Sequence, residues 1–456
     1  MPLVSLNPAT GRLIQRHRAH TAAQVSAALA ASHTAFLAWS DTPLTARARH
    51  LRAVAATLRR QRTALARLIT AEMGKPRADA LAEIEKCAAC CEFYAQHAAH
   101  FLRPVHPVGA PKNASVTFEP LGVILAVMPW NYPFWQAFRA AVPALLAGNT
   151  VLLKHASNVS GCALAIERIF TSARSSVPAS SRSPANLLRT LLVSASQLPP
   201  LVADPRVRGV TLTGSTAAGR RVSALAGAAL KPAVFELGGS DPYVVLADAD
   251  LDLAAEVCAA ARLVNNGQSC IAAKRFVVVE KIRPAFEQKL AARLSALAPK
   301  LGPLARADLR TELHSQIQKS IKLGARVLLG GKLPPRSAPG FFYPATLLSG
   351  VRPGMPAYDD ELFGPVAVVI SARDETDAVR IANDTPYGLG AAVFSRNLRR
   401  ARSLARRLDT GMIALNAQIV SHPALPFGGT KASGLGRELA GFGARAFVNI
   451  KTLTWS

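Results

Sequence analysis

The stretch LGVILAVMPWNYPFWQAFRAAVPALLAGNTVLLKH, residues 121–155, sets the fold class of this chain. Its apolar run VILAVM at 123–128 has the length of a buried strand. A helical stretch follows at 134–147, and a second apolar run, TVLLK, occupies 150–154. A strand, a helix and another strand in this order predict two parallel strands with the helix covering one face of the sheet. The stretch therefore predicts an α/β fold.

The same alternation extends along most of the chain. Short apolar runs and helical stretches alternate to about residue 236, and a second series follows from 243 to 415. We predict two doubly wound parallel-sheet units with a seam near Gly238 and Gly239. Residues 21–102 are rich in alanine and predict long helices, which Pro43 and the Gly74-Lys75-Pro76 segment interrupt.

Two further segments belong to neither unit. Residues 104–120 are punctuated by Pro and Gly, and the chain ends in a β-like tail. These segments predict a small β arm that pairs across an oligomer interface. The Ser-rich stretch at 171–184 predicts a loose loop.

Composition excludes several classes of protein. With 456 residues, of which 50% are hydrophobic and 18% charged, the chain is neither a small stapled scaffold nor compositionally disordered. Its longest apolar stretch, 140–153, is interrupted by Pro143 and Gly148, so we expect no membrane span. The N-terminus resembles neither a secretory leader nor a transit peptide, and six cysteines are too few for a disulfide framework. We therefore expect a cytoplasmic protein with free thiols.

The net charge of +26 raises the question of a nucleic-acid partner. The basic residues are spread along the chain, and in the densest run, 47–67, leucines and a valine recur at helical spacing between arginines. This pattern indicates an amphipathic helix with a solvated arginine face. We expect no specific nucleic-acid partner.

Three residues have side chains suited to catalysis, and each also has a structural interpretation. Cys270, in NNGQSC, is either a nucleophile or an inert buried thiol. Glu236, at the end of an apolar strand, is either a general base of raised pKa or a salt-bridged carboxylate. Asn131 either donates to an oxyanion or caps the following helix.

Charged groups and cysteines elsewhere give weaker signals. Arg139 lies about two helical turns after Asn131 on an apolar helix and needs an anionic partner. Gly214 and Ser215 lie between an apolar strand and a helix, which predicts an anion site for a pyrophosphate, although the motif is neither GxGxxG nor a P-loop. A cysteine cluster falls within one helical pattern without a second Cys/His pair, so we expect packing and no metal site. Its members are Cys87, Cys90 and Cys91.

Six segments in fixed order carry a family resemblance. They are PWNYPFWQAFRAA (129–141), LLKHASNVSG (152–161), ELGGSDP (236–242), NNGQSC (265–270), ELFGPVA (361–367) and PFGGTKASGLGRE (426–438). With them, essentially the whole chain resembles the NAD(P)-dependent aldehyde dehydrogenase superfamily, and within it the bacterial succinate-semialdehyde dehydrogenases.

The resemblance implies a catalytic mechanism. The Cys270 thiolate attacks the aldehyde, and the Asn131 amide and the Cys270 backbone N–H hold the oxyanion. After hydride transfer, Glu236 activates the water that hydrolyses the thioester.

The resemblance also implies contacts for the cofactor, which is NAD or NADP. Lys154 faces the adenosine ribose, and Ser157 stands where NAD-selective relatives often carry a glutamate, so NADP is permitted. The other implied contacts are Trp130 at the entrance, Gly214 and Ser215 at the pyrophosphate, and Glu361 and Phe363 at the nicotinamide ribose.

For the substrate, the resemblance places Arg139 at the distal carboxylate with Ser421 as a helper. A second anchoring arginine of some relatives is Val264 here. The expected reaction is oxidation of an aldehyde, most simply succinate semialdehyde, by a homodimer or homotetramer. One alternative is a degenerate paralogue that acts as a basic scaffold, since 171–184 and 297–303 depart from the family pattern. Another is an acyltransferase or CoA-acylating relative, against which Glu236 argues.

The domain limits follow from the resemblance and from the alternation of apolar runs and helical stretches along the chain. We predict a cofactor-binding domain at 1–103 and 121–236, a catalytic domain at 237–424, an oligomerisation arm at 104–120 and 445–456, and a connecting segment on the active-site side at 425–444.

Overall fold

The computed structural model describes residues 3–175, 183–335 and 337–456. The strands of the first half are β1 Leu3–Leu6, β2 Leu13–His17, β3 Ala114–Pro120, β4 Val123–Met128, β5 Thr150–His155, β6 Leu188–Thr190, β7 Val207–Thr213 and β8 Ala233–Glu236. Those of the second half are β9 Pro242–Val245, β10 Arg275–Val279, β11 Arg326–Leu329, β12 Thr346–Ser349, β13 Val366–Ala372, β14 Tyr387–Gly388, β15 Gly390–Phe394, β16 Met412–Leu415, β17 Thr430–Lys431, β18 Gly434–Leu435 and β19 Val448–Thr454.

The α-helices follow the same chain order. In the first half they are α1 Ala22–Ser40, α2 Leu44–Met73, α3 Arg77–Leu102, α4 Trp135–Ala147, α5 Ser160–Ser175, α6 Leu198–Ala203 and α7 Thr216–Ala228. In the second half they are α8 Leu251–Leu263, α9 Arg283–Leu297, α10 Ala307–Lys322, α11 Pro356–Asp359, α12 Glu375–Asn383, α13 Leu398–Ala405 and α14 Ala440–Ala444.

Two sheets organise the described chain, and the prediction of an α/β fold with two parallel-sheet units is confirmed. The first sheet has the order β18-β8-β7-β4-β5-β6 and is parallel except for β18, which pairs antiparallel with β8. The second has the order β11-β12-β13-β10-β9-β15-β16 and is parallel except for β11. All residues of β4, β9 and β10 are buried, as expected for parallel strands covered on both faces.

Three N-terminal helices are separated at Pro43 and at Gly74-Lys75-Pro76, as predicted. Helix α2 ends at Gly74, which adopts the left-handed conformation (φ 78°), and α3 starts directly after Pro76. On α2, Leu51 is fully buried and Arg59 points outward to Glu85 and Glu92 of α3. The arginine-rich run therefore forms the solvent-exposed face of a helix, as predicted.

The prediction of a loop at 171–184 is wrong for its first residues. Helix α5 continues through Ser175, because Ile169, Phe170 and Ala173 maintain its buried face. Residues 176–182 lie outside the described part of the chain.

The segments predicted to form an arm pair with each other. Strands β3 and β19 are antiparallel, from Ala114 opposite Thr454 to Pro120 opposite Val448. Their part in an oligomer remains a prediction. Within the described ranges, every helix is too short or too polar to cross a membrane.

Candidate active site

The predicted catalytic residues gather where the two sheets face each other. Asn131 follows β4 and Glu236 ends β8, so both lie at the carboxyl edge of the first sheet. Cys270 precedes β10 and Glu361 precedes β13, at the amino edge of the second sheet. Between these edges lies a cleft of about 850 Å³. Its walls include Trp130, Asn131, Gly214, Ser215, Cys270, Glu361 and Phe363.

Cys270 lies at one wall of this cleft with 9% of its surface exposed. The buried ammonium of Lys274 donates to the carbonyl oxygens of Ser269 (3.2 Å), Cys270 (2.8 Å) and Ala272 (3.2 Å), which fixes the loop around the sulfur. Burial raises the pKa of the thiol to about 12, although the positive charges of Arg139 and Lys274 oppose the shift. In the free protein, therefore, the thiol is protonated at neutral pH.

The amide of Asn131 faces the same loop. Its Nδ2 donates to the carbonyl of Gln268 (3.1 Å), and Asn265 Nδ2 donates to the backbone carbonyl of Asn131 (2.8 Å). Asn265 has a positive φ of 53°, a conformation that asparagine tolerates better than most residues. These bonds hold Asn131 against the turn that leads to Cys270.

Asn131 does not cap the helix that follows it. Glu83 of α3 does so, because its Oε1 accepts from the backbone N–H groups of Phe134 (2.8 Å) and Trp135 (3.0 Å). The other oxygen of Glu83 forms an ion pair with the fully buried Lys75. The Asn131 side chain is therefore available to the cleft.

Glu236 is buried without a partner. Neither carboxylate oxygen has a hydrogen-bond donor among the described residues. Burial raises the pKa of Glu236 well above its ordinary value; the charge of Glu438 adds to the shift and that of Arg139 opposes it. Gly428 (φ 148°) leaves room for the Glu236 carboxylate, since a Cβ at residue 428 would lie 2.5 Å from Glu236 Oε1. The structure therefore does not show a salt-bridged carboxylate at Glu236, and its role as a general base remains a prediction.

Arg139 has the anionic partner that its burial requires. The guanidinium, 1% exposed, forms an ion pair with Glu438, donates to Thr213 Oγ1 (3.3 Å) and lies 4.3 Å from the centre of the Phe427 ring. Its charge is therefore largely balanced within the protein. The predicted role of Arg139 in gripping the substrate remains a prediction.

The side of the cleft where the resemblance predicts the nicotinamide ribose is built around Glu361. Its Oε1 accepts from the backbone N–H of Gly239 (3.1 Å) and lies 3.5 Å from Lys274 Nζ. A Cβ at Gly238 would lie 2.5 Å from Glu361 Oε2, so a larger residue there would displace this carboxylate. The rings of Trp130 and Phe363 meet edge to face at 5.7 Å.

The other side of the cleft presents a helix N-terminus. Ser215 caps α7 by accepting from the N–H of Ala218 (3.3 Å), and the first backbone N–H groups of this helix are a natural anion site. These N–H donors fit a pyrophosphate, and the carboxylate of Glu361 can accept hydrogen bonds from the hydroxyl groups of a ribose.

Lys154 and Ser157 lie at the same sheet edge, outside the set of residues that lines the described cleft. Lys154 is at the end of β5, opposite Val127 of β4, and burial lowers its pKa. Ser157 begins the next turn and is exposed. The structure places Ser421 apart from these residues, where it accepts from Lys86 Nζ (2.6 Å). The roles of these residues remain predictions.

The cysteines of α3 are all buried, and burial raises the pKa of each thiol. They are Cys87, Cys90 and Cys91. In the part of the chain that the structure describes, no group of three or more His, Cys, Asp or Glu residues is arranged to hold a metal ion.

Comparison with known proteins decides the family. The sequence profile of the aldehyde dehydrogenase family matches residues 2–453. The chain belongs to the aldehyde dehydrogenase family. Succinate semialdehyde dehydrogenase NAD(P)+ Sad of Escherichia coli strain K12 is 42% identical to it over 458 residues, which cover 99% of this chain and 97% of that protein. Succinate-semialdehyde dehydrogenase NADP(+) 1 of Mycobacterium tuberculosis H37Rv is 43% identical over 464 residues, with 99% of each chain covered.

A solved structure gives the same result for the fold. The succinic semialdehyde dehydrogenase of Streptococcus pyogenes, in complex with NADP+ as the cofactor, matches this chain with a TM-score of 0.94 and 34% identity, covering 99% of each chain. The resemblance drawn from the six motifs is therefore confirmed, and this aldehyde dehydrogenase is an oxidoreductase. The comparisons give no support to the alternative of a degenerate scaffold.

Sequence reasoning missed four charged residues around the site. Glu438 ends the PFGGTKASGLGRE motif and Lys274 lies four residues after the NNGQSC motif, and neither position indicated a role. Glu83 and Lys86 lie on α3, far from any motif, and only the packing of α3 on α4 brings them to the site.

Proposed function

We propose that this aldehyde dehydrogenase oxidises succinate semialdehyde to succinate, with NADP as the preferred hydride acceptor and NAD accepted less well. One observation carries the proposal: Cys270 and Asn131 share a cleft with the cofactor-type contacts of Ser215 and Glu361, while the unpaired Glu236 ends a neighbouring strand. The printed names of the E. coli and M. tuberculosis relatives support the choice of substrate.

The residues of the chain perform the acyl chemistry. The Cys270 thiol releases its proton to solvent as the sulfur bonds to the aldehyde carbon, and the carbonyl oxygen becomes an oxyanion that Asn131 Nδ2 stabilises. When bound, the nicotinamide supplies the acceptor for the hydride that leaves this carbon. Glu236 then takes a proton from water as the water oxygen attacks the thioester carbon, and the Cys270 sulfur leaves as the acid is released.

The preference for NADP rests on two residues at the end of β5. The ammonium of Lys154 is half-buried, so a 2′-phosphate nearby would offset the cost of its burial. Ser157 offers a hydroxyl at the position where a carboxylate would repel that phosphate.

Initial rates test this proposal. We expect succinate semialdehyde to give the highest kcat/KM in a panel with glutarate semialdehyde and butanal, and NADP to give a lower KM than NAD. Cys270→Ala should abolish formation of reduced cofactor, whereas Cys258→Ala, at another buried thiol, should change the rate less than twofold. A Cys270→Ala protein that retains turnover would refute the proposal.

We further propose that the protein is a homodimer or homotetramer that assembles through β19. This strand and its end expose Ile450 (64%), Leu453 (43%) and Trp455 (53%), a concentration of apolar surface that a second copy would cover. A cytoplasmic location is part of the same proposal, since all six cysteines are free, as in a reducing compartment.

A further inference from the structure

A second cation lies beside the Arg139 ion pair. Lys86 of α3 is half-buried, its Nζ donates to Ser421 Oγ (2.6 Å), and it stands 4.4 Å from the centre of the Trp135 ring on α4. Contacts from α4 and from the loop after β16 therefore fix this ammonium in position. No part of the proposed acyl chemistry uses it.

Among the described residues, the positive charge of Lys86 is not balanced by a carboxylate, whereas that of Arg139 is. Arg139 has Glu438, but Lys86 forms no ion pair with any carboxylate in the described part of the chain. The titratable and charged groups that act on it are Glu83, Cys87 and Cys90 on its own helix and Arg139 on α4. Burial and Arg139 together lower the pKa of Lys86 to about 8. A half-buried cation of this kind is stabilised by an anionic ligand.

The position of Lys86 relative to Cys270 indicates where an anionic ligand would bind. Arg139 exerts the largest charge effect on both the Cys270 thiol and the Lys86 ammonium, so it lies near both groups. Helix α4, which carries Arg139 and Trp135, begins only four residues after Asn131. A small molecule that met Cys270 with its carbonyl carbon and extended along α4 would bring its far end towards Lys86 and Ser421.

We propose that Lys86, together with Ser421, binds the carboxylate at the far end of the substrate and so selects a semialdehyde over a neutral aldehyde. This inference rests on the proposed function. In this proposal Lys86 is the cation that pairs with the substrate carboxylate. Arg139 raises the positive potential between Lys86 and the Cys270 thiol.

A ratio of specificities tests the assignment. Succinate semialdehyde and butanal both have four carbons, and only the first carries a carboxylate. In Lys86→Met we expect the ratio of their kcat/KM values to fall at least tenfold, and in Lys86→Arg to recover most of that loss. Ser421→Ala should lower the ratio less, because the ammonium remains. An equal loss for both aldehydes would show that Lys86 serves only the fold, and a fall in the ratio with Arg139→Met but not with Lys86→Met would assign the anchor to Arg139.

Binding of the product separates this inference from the proposed function. By calorimetry we expect succinate to bind the wild-type protein at least tenfold more tightly than it binds Lys86→Met, with butyrate bound equally by both. Lys289→Met, which removes a lysine from the outer helix α9, is the matched control and should bind succinate like the wild type. If the wild type oxidises neither aldehyde, the proposed function fails, and succinate binding still decides the role of Lys86.

The acidity of Lys86 gives a second readout that a structural role would not move. The neutral amine cannot pair with a carboxylate, so the specificity ratio of the wild type should fall as the pH rises through the region around 8. Dividing by the butanal value removes the common pH dependence of Cys270 and Glu236. Lys86→Arg should keep its ratio constant between pH 7 and 10, and a wild-type ratio that is also constant would overturn the proposal.

Discussion

The carboxylate of Glu236 lies in an environment that does not compensate its charge. Its carboxylate is buried without a hydrogen-bond donor in the described structure, and the negative charge of Glu438 adds to the effect of burial. Because its pKa is raised, the group is a better base once ionised, and it loses its function when the pH falls through that pKa. Hydrolysis of the thioester should therefore slow as the pH falls through the raised pKa of Glu236.

Replacing this base should divide the reaction into two phases. In Glu236→Gln we expect one rapid equivalent of NADPH per active site, followed by a steady rate reduced by about 10²–10⁴-fold, because the amide cannot take a proton from water. Rapid mixing measures the burst, and mass spectrometry of the intact protein detects the acyl group on Cys270. Glu256→Gln, at an exposed carboxylate of α8, is the control. A steady rate near that of the wild type would contradict the assignment.

At the scale of elements, α3 positions the active site although it contributes nothing to the motifs. Glu83 joins the start of α4 to Lys75, so one buried carboxylate orders both the turn before α3 and the helix that follows Asn131. Lys75 in turn lies 3.6 Å from the centre of the Tyr132 ring. The orientation of the Asn131 segment thus depends on a helix about fifty residues away in the sequence.

Removing Glu83 should therefore cost stability as well as activity. For Glu83→Ala we expect a loss of about 3–5 kcal/mol in the free energy of unfolding, because the buried Lys75 loses its partner. The matched change Glu85→Ala removes an exposed ion pair with Arg59 on the same helix and should cost about 0–1 kcal/mol. Urea denaturation measures both, and equal losses would contradict the role given to Glu83.

The elements also show what sequence could and could not predict. The strand Val123–Met128 was predicted to the residue, because an apolar run between helices has few alternatives when both faces are covered. Helix α10 was missed: only Leu313, Ile317 and Ser320 of its residues are buried, so its apolar stripe is too narrow to stand out.

The residues of the site likewise divide into those that the sequence predicted and those that it missed. Motifs located Cys270, Glu236 and Asn131, since each lies beside a strand end, where spacing is informative. Lys86 and Glu83 could not be found in this way, because their roles arise from helix packing between distant parts of the chain.

At the scale of the whole molecule, the apolar surface of β19 predicts assembly. We expect size-exclusion chromatography with light scattering to give a mass two or four times the 48.2 kDa of the chain. Ile450→Asp should shift the mass towards one chain, because a charge would be buried without a partner at the interface. Leu230→Asp, at an exposed leucine between α7 and β8, should leave the mass unchanged. A monomeric wild-type protein would contradict this prediction.

The segment around Ser433 links the two halves of the molecule beside the cleft. Its hydroxyl donates to the carbonyl of Gly238 (2.6 Å) and accepts from the N–H of Gly388 (3.0 Å), while its carbonyl accepts from the N–H of Leu237 (2.9 Å). On either side of it, β17 pairs with β14 and β18 extends the first sheet. A hinge rotation that opened the cleft would break these bonds together. Because such a rotation would cost all of these bonds, we expect reactants to enter and products to leave through local shifts of side chains and loops.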